Sequence, residues 1–200
     1  MSQEKKTSQS RILILDSAAD LFTTKGYRAT TMRDIALQAE MKAGSVYYHF
    51  ESKEEILREI MRIGITQVLT RVQDSLERLG DDASFSDKLF SAIEAHLDCL
   101  LNEDNSYTSA NVRIFRLAPS EVREGNLPIR DQYEGFWTEM FEQAQAKGDL
   151  RKDIDLKTLR LLMFGAMNWS LEWYNPKGRK SVGSICQELT DVILNGIRPR

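Results

Sequence analysis

The stretch that most constrains this chain is residues 30–50, TTMRDIALQAEMKAGSVYYHF. Thr30 or Thr31 can cap a helix, and Asp34, three residues beyond Thr31, is placed as a capping-box partner. Met32, Ile35, Ala36 and Ala39 then recur at three- and four-residue intervals and define one buried face. Glu40, Met41 and Lys42 interrupt the pattern as a tight turn, and a second helix of about two turns follows over residues 43–49. Its composition is unusual. Val46 and the following Phe50 are its core anchors, whereas Lys42, Gly44, Ser45, Tyr47, Tyr48 and His49 are small or hydrogen-bonding. A helix this short is not stable alone, so its neighbours must hold it. The side left over then offers a cation, two phenols, an imidazole and a hydroxyl, the groups that contact phosphates and base edges. A helical hairpin that packs and does nothing else is the competing reading of the same residues.

Net charge taken over the whole 200-residue chain, −3, opposes nucleic acid. The charge is unevenly divided. Residues 1–50 hold seven Lys/Arg against five Asp/Glu, a net of +2, which leaves −5 on the other 150 residues. Phosphate attraction follows the local field, which is positive where the motif lies. The 42% hydrophobic fraction suffices for a sizeable core. No apolar run approaches the roughly 20 residues of a membrane span, and the polar start MSQEKKTSQS has no apolar signal region, so a cytoplasmic protein without membrane attachment is expected. The two cysteines, Cys99 and Cys186, lie far apart without metal-ligand spacing and read as reduced thiols. There is no Gly-rich phosphate loop, metal-ligand cluster or nucleophile elbow. His96, Asp98 and Cys99 are close in sequence, but a helix sends them to different faces. The expectation is a non-enzyme with no cofactor, no metal and no catalytic residue.

Along the chain, residues 1–8 read as a disordered polar arm from which Lys5 and Lys6 could reach a phosphate backbone. A first helix over residues 9–25 has Ile12, Leu15, Ala18, Ala19 and Phe22 as its stripe and Gly26 as its stop. Ser52 with Glu55 restarts the chain as a long helix ending at Gly80, on the order of 40 Å in length. Lys53 and the helix N-terminus suit a phosphate. A helix opened by Ser84 and Asp87 runs to about residue 102, and another precedes Pro119. The span from 119 to 128 reads as an irregular connection or one short helical turn before a helix over 128–147. The helix over 156–174 is apolar around much of its circumference, and a last helix covers 182–197.

The segment TTMRDIALQAEMKAGSVYYHFESKEEIL resembles the helix-turn-helix signature of the TetR family of bacterial transcriptional repressors. The likeness lies in Thr30-Thr31, Ile35-Ala36, Gly44, Tyr47-Tyr48-His49-Phe50 and Lys53-Glu54 followed by Leu57. It implies an all-α fold of about nine helices. An N-terminal arm and three-helix DNA-binding domain would occupy residues 1–51, with the motif at about 31–50, and a long helix would join it to an effector-binding and dimerisation domain at 52–200. It further implies a homodimer, formed through the last two helices, on a palindromic DNA operator. Thr31, Lys42, Gly44, Ser45, Tyr47, Tyr48, His49 and Lys53 map onto the family's DNA-contacting positions. The side chains fit those roles. Gly44 permits close backbone approach, and Lys42 can donate to guanine O6/N7 or to a phosphate. Thr31, Tyr48, His49 and Lys53 suit phosphates, and Tyr47 a thymine methyl or sugar. His49 could instead cap a helix.

By the same resemblance, a small-molecule effector binds the C-terminal domain and alters DNA affinity. Candidate lining residues there are His96, Cys99, Asn111, Phe115, Phe136, Trp137, Met140, Met163, Met167, Asn168 and Trp169, although aromatic and Met side chains at helical spacing also describe ordinary core. His96 and Asn168 are polar groups in apolar runs and require partners. The segment GAMNWSLEWYNPKGRKS is similar to the end of family members that respond to acyl-CoA thioesters, which implies an apolar or acyl-CoA-like effector. A DNA-binding regulator without ligand sensing, or an activator, is the alternative.

Overall fold

The structure, a computed structural model of the chain, describes residues 2–80, 82–102 and 106–197, with side chains described from residue 7 and, after the last gap, from residue 107. Among them are nine α-helices and no strand: α1 (Ser2–Leu21), α2 (Met32–Gln38), α3 (Ala43–His49), α4 (Lys53–Leu79), α5 (Phe85–Leu101), α6 (Ser106–Ile114), α7 (Ser120–Lys147), α8 (Leu156–Trp173) and α9 (Val182–Ile197). A π turn, Phe22–Gly26, continues α1, and a 3-10 turn, Phe115–Leu117, follows α6.

Caps and glycines set most boundaries. Thr31, Ser84 and Asp155 each accept the backbone N–H of the third helical residue with their side chains. Ser52 does the same for Glu55 at 3.1 Å, while the Glu55 carboxylate reaches back to the Glu51 N–H at 2.7 Å. Gly26, Gly80 and Gly148 stop helices with φ of 90°, 79° and 88°.

Three expectations are corrected. The N-terminal segment is not an irregular arm: α1 begins at Ser2, because Gln, Glu and Lys are good helix formers whether or not they pack. The side chains of Lys5 and Lys6 lie outside the described residues. Ile12 is 53% exposed and the buried stripe starts at Ile14; periodicity shows which side of a helix is apolar, not how far its neighbours extend along it. Residues 120–127 are neither irregular nor a separate short turn but continuous helix, so α7 runs through Pro128. Proline removes one donor and normally breaks a helix. Here Val122 is buried and the Asn126 amide donates to its carbonyl at 3.0 Å, which holds the turn before the proline.

The helices gather into two compact units, residues 1–65 with 104–129 and residues 66–103 with 130–200. In the first, Ile14, Ala18, Phe22, Ile35, Val46, Phe50, Leu57 and Ile60 share one core with Ala110, Ile114 and Val122. At Gly64 of α4 an added Cβ would lie 2.5 Å from the Tyr107 carbonyl oxygen, so backbone meets backbone there. Thr108 Oγ1 donates to the Gly64 carbonyl at 3.1 Å and Asn111 Nδ2 to that of Met61 at 3.2 Å. In the second unit α5 packs on α8 and α9. Leu89, Ile93, Leu97, Trp137, Phe141, Met163, Met167 and Cys186 are buried there. Leu161, Leu162, Trp169 and Trp173 of α8 and Val192 of α9 remain half or more exposed.

Candidate nucleic-acid interface

Residues 31–50 form a short helix, a turn and a second short helix, as their pattern requires. Thr31 caps α2 through a complete capping box: Asp34 N–H donates to Thr31 Oγ1 at 3.2 Å, and Thr31 N–H donates to Asp34 Oδ2 at 2.8 Å. The Thr31 hydroxyl proton also goes to Asp34 Oδ2, at 2.7 Å. Lys25 Nζ lies 2.8 Å from the same oxygen. That ammonium first, and the Thr31 hydroxyl and amide after it, hold the Asp34 carboxyl down at about 2. At the other end of α2, Glu40 N–H bonds to the Leu37 carbonyl at 3.1 Å and Met41 N–H to that of Ala36 at 2.8 Å. With Glu40 at φ 55°, this is a Schellman turn that reverses the chain into α3.

The turn fixes which side of α3 looks outward. Val46 and Phe50 are buried at 0% and 1% exposure and anchor the helix. Lys42 and Gly44 are exposed, Tyr47 is 54% and Tyr48 79% exposed, and Ser45 and His49 are half-buried. The Tyr48 and His49 rings meet edge to face at 5.2 Å. Lys42 is the N-cap residue of α3 and makes no side-chain capping bond. A cation at the positive end of a helix, where Ser or Asp would cap, is locally unfavourable. Gly44 has nothing within 4 Å of an added Cβ, so no packing within the chain calls for glycine in a helix. Both residues are poor choices for the helix and suitable ones for a surface that another molecule approaches.

Lys53 has a role that sequence reasoning missed. Its ammonium donates to the Tyr27 and Thr30 carbonyls, both at 2.8 Å, and lies 4.3 Å from the centre of the Tyr27 ring. Tyr27 OH in turn donates to Glu54 Oε1 at 2.6 Å. Burial, then that carboxylate, pushes the Tyr27 phenol up, and the bond lowers Glu54. The Lys53-Glu54 pair thus ties the start of α4 to the chain entering α2. An ammonium has three donors, and two are spent on this tie. Adjacent Lys-Glu on a helix start was the available signal, but the facing carbonyls are a product of tertiary structure.

Comparison with known proteins places these features. Residues 14–60 match the family described as bacterial regulatory proteins, tetR family, and residues 82–197 match the tetracyclin repressor-like C-terminal domain. The chain belongs to the TetR family. The HTH-type transcriptional repressor KstR2 of Mycolicibacterium smegmatis is 27% identical over 189 residues, spanning 92% of this chain and 88% of that protein. The HTH-type regulator YfiR of Bacillus subtilis, itself uncharacterized, is 34% identical over 137 residues, 68% of this chain and 63% of that one. The solved structure of the ketosteroid transcriptional regulator KstR2 of Mycobacterium tuberculosis superposes with a TM-score of 0.78 at 26% identity, covering 95% of each chain.

In this TetR-family chain the residues expected to line an effector site fall into two groups. Asn111 and Phe115 belong to the first unit, with the Asn111 amide spent on the Met61 carbonyl and Phe115 half-buried against the core around α1. The others belong to the second unit. His96 is buried; its Nδ1 lies 2.6 Å from Tyr133 OH and its Nε2 3.2 Å from Asn168 Oδ1. A carboxamide oxygen only accepts, so Nε2 carries the proton and Nδ1 accepts from the phenol. The imidazole packs against the Tyr133 and Phe164 rings, with centres 6.0 and 5.8 Å away, and Trp137 stands edge-on to both of those rings at 6.3 and 5.7 Å. Burial lowers His96 to about 4, against a smaller opposing effect of Asn168. Met140, Met163, Met167 and Cys99 are buried, Phe136 is half-buried and Trp169 is 66% exposed. Tyr133 and Phe164, which complete the cluster, were legible only as apolar positions. Among the described residues no three His, Cys, Asp or Glu side chains gather as a metal site, and no helix is long and apolar enough to cross a membrane.

Proposed function

We propose that this chain is a homodimeric transcriptional repressor that reads a palindromic DNA operator through residues 42–49 and releases it when a small molecule binds the C-terminal part. The carrying observation is the outward face of α3. Lys42, Gly44, Tyr47 and Tyr48 are exposed while Val46 and Phe50 are locked in the core, and neither the lysine nor the glycine serves the helix. Lys42 donates to a guanine edge or phosphate, Gly44 admits the groove wall, and Tyr47 packs on sugar or a thymine methyl. Tyr48 and His49 bond phosphates, with Ser45 beside them. Lys53 adds its third N–H donor, and Thr31 turns its one hydroxyl proton from Asp34 to the backbone of the DNA. Function divides near residue 51, with DNA contact before it and sensing and dimerisation after it, in the cytoplasm. The M. tuberculosis relative is described as a ketosteroid regulator. An apolar or acyl-CoA-like effector suits the neutral aromatic surroundings of His96 and Asn168, with Phe136, Trp137, Met140, Met167 and Trp169 of the same unit as further candidates.

The test is binding to genomic fragments, including the region upstream of the protein's own gene, by wild type and by Lys42→Ala and Tyr48→Ala. Saturable binding to a short palindrome, weakened in both variants by roughly 1–3 kcal/mol, is the expected result. Binding indifferent to sequence and unchanged by both substitutions would discard the α3 reading.

A further inference from the structure

α3 has seven residues and buries only Val46 within its own length, so contacts from outside must set its direction. Arg11 of α1 makes two of them and is itself held by a third interaction, with α4. Its Nη1 donates to the His49 carbonyl at 3.1 Å, its guanidinium carbon lies 4.1 Å from the centre of the Phe50 ring, and its Nη2 is 3.9 Å from Glu59 Oε1 of α4. His49 is the last residue of α3, so its carbonyl is among the four that a helix leaves without an internal partner. A cation there also complements the negative end of the helix. Glu59 is itself fixed by the Arg62 fork at 3.0 and 3.2 Å, which holds its carboxyl low, with Arg11 adding to the effect. A guanidinium offers a flat face for the ring and a fork for two acceptors at once; an ammonium offers only a point charge. Exposed Tyr48 and half-buried His49 sit at the fastened end.

We propose that Arg11 is a positioning residue for sequence reading: it fixes the end of α3 against α1 and α4 without touching DNA. The proposal rests on the DNA-reading function given above. Base-edge hydrogen bonds need placement within about 0.5 Å and 10–20°, whereas attraction to phosphates tolerates looser geometry and carries no sequence information. Loss of Arg11 therefore erodes discrimination between sequences more than attraction to DNA.

The test uses the full chain and two probes: the tightest duplex that wild type recovers from a random-sequence pool, and a scrambled duplex of equal length. Affinities of wild type, Arg11→Met and Arg11→Lys are measured against salt, with thermal unfolding alongside. In Arg11→Met the ratio of the two affinities should fall roughly tenfold or more, with scrambled-duplex affinity and salt slope unchanged. Arg11→Lys, whose charge can still reach the His49 carbonyl, should recover part of the ratio. A folded Arg11→Met with the wild-type ratio overturns the proposal, since a purely structural role lowers the melting point but not the selectivity of folded molecules. So does a salt slope reduced by about one with both duplexes weakened equally, which marks a direct phosphate contact. If Arg11→Met does not fold, Arg11→Lys decides: an unchanged ratio refutes the role. Wild type recovering no preferred duplex would sink the DNA-reading function and this proposal together, whereas failure confined to the variants sinks only the latter.

Discussion

Gly44 separates what the fold needs from what binding needs. Glycine inside a helix costs about 1 kcal/mol relative to alanine, and nothing in the chain would obstruct a methyl group at this position. Gly44→Ala should therefore leave the melting temperature equal or higher and weaken binding to the selected duplex by tenfold or more. Equal affinity would mean that DNA does not approach the backbone there. His96 gives a second prediction, on pH. Held down to about 4 by burial, against an ordinary value near 6.5, it binds a proton in the unfolded chain before it does in the folded one. The contribution to stability is thus complete above pH 6.5 and is lost as pH falls from about 6.5 to 4, by about 3 kcal/mol. Urea unfolding of wild type and His96→Gln across that window checks it: the slope should flatten in the variant, and identical slopes would refute it. The need of His96 for partners was legible in sequence, as were the core positions of Val46 and Phe50. Which atoms would satisfy His96, and that Lys53 would turn to two carbonyls, was not. Those answers depend on residues 37 and 26 positions away.

At the scale of elements, local chemistry predicted starts well and lengths less well. The capping residues Thr31, Ser52 and Ser84 each act on their own turn, so their signal is complete within four residues. The start of α1 and the passage of α7 through Pro128 depend on neighbours or on the absence of a breaker, and pattern alone misplaced both. The turn between α2 and α3 carries a local conflict of the same kind. Glu40 adopts φ 55°, a left-handed conformation that costs an L residue roughly 1–2 kcal/mol, part of which glycine returns as chain entropy. Glu40→Gly should stabilise the protein by up to about 1 kcal/mol. Chemical denaturation would show this as a higher midpoint at constant slope. A lower midpoint would mean that the Glu40 side chain contributes more than its backbone strain costs.

At the scale of the whole molecule, the question is how so small a reading head can select one site. A helix of two turns touches only a few base pairs, and DNA-binding helices of this kind work in pairs on half-sites one helical turn apart. The second compact unit offers a means of pairing. Leu162, Trp169 and Val192 are 68%, 66% and 71% exposed, with Leu161 and Trp173 at 54% and 50%. Two tryptophans and two leucines at 161, 162, 169 and 173 give α8 several exposed large apolar side chains, and such clustering on a monomer marks an interaction site. The excess was legible in the sequence, although an apolar circumference alone could equally have meant a buried monomer core. Exposure in the folded chain supports the homodimer proposed above. Trp169→Glu with Val192→Glu should shift sedimentation from dimer to monomer while leaving helicity unchanged. Because the second head binds at the effective concentration that dimerisation supplies, operator affinity should fall by about 10²- to 10⁴-fold. Affinity for a single half-site should hold, since α3 itself is untouched. A double variant that still sediments as a dimer and binds the full operator like wild type would place the interface elsewhere. Wild type that is monomeric at micromolar concentration, yet binds a palindrome tightly, would mean that the DNA assembles the pair.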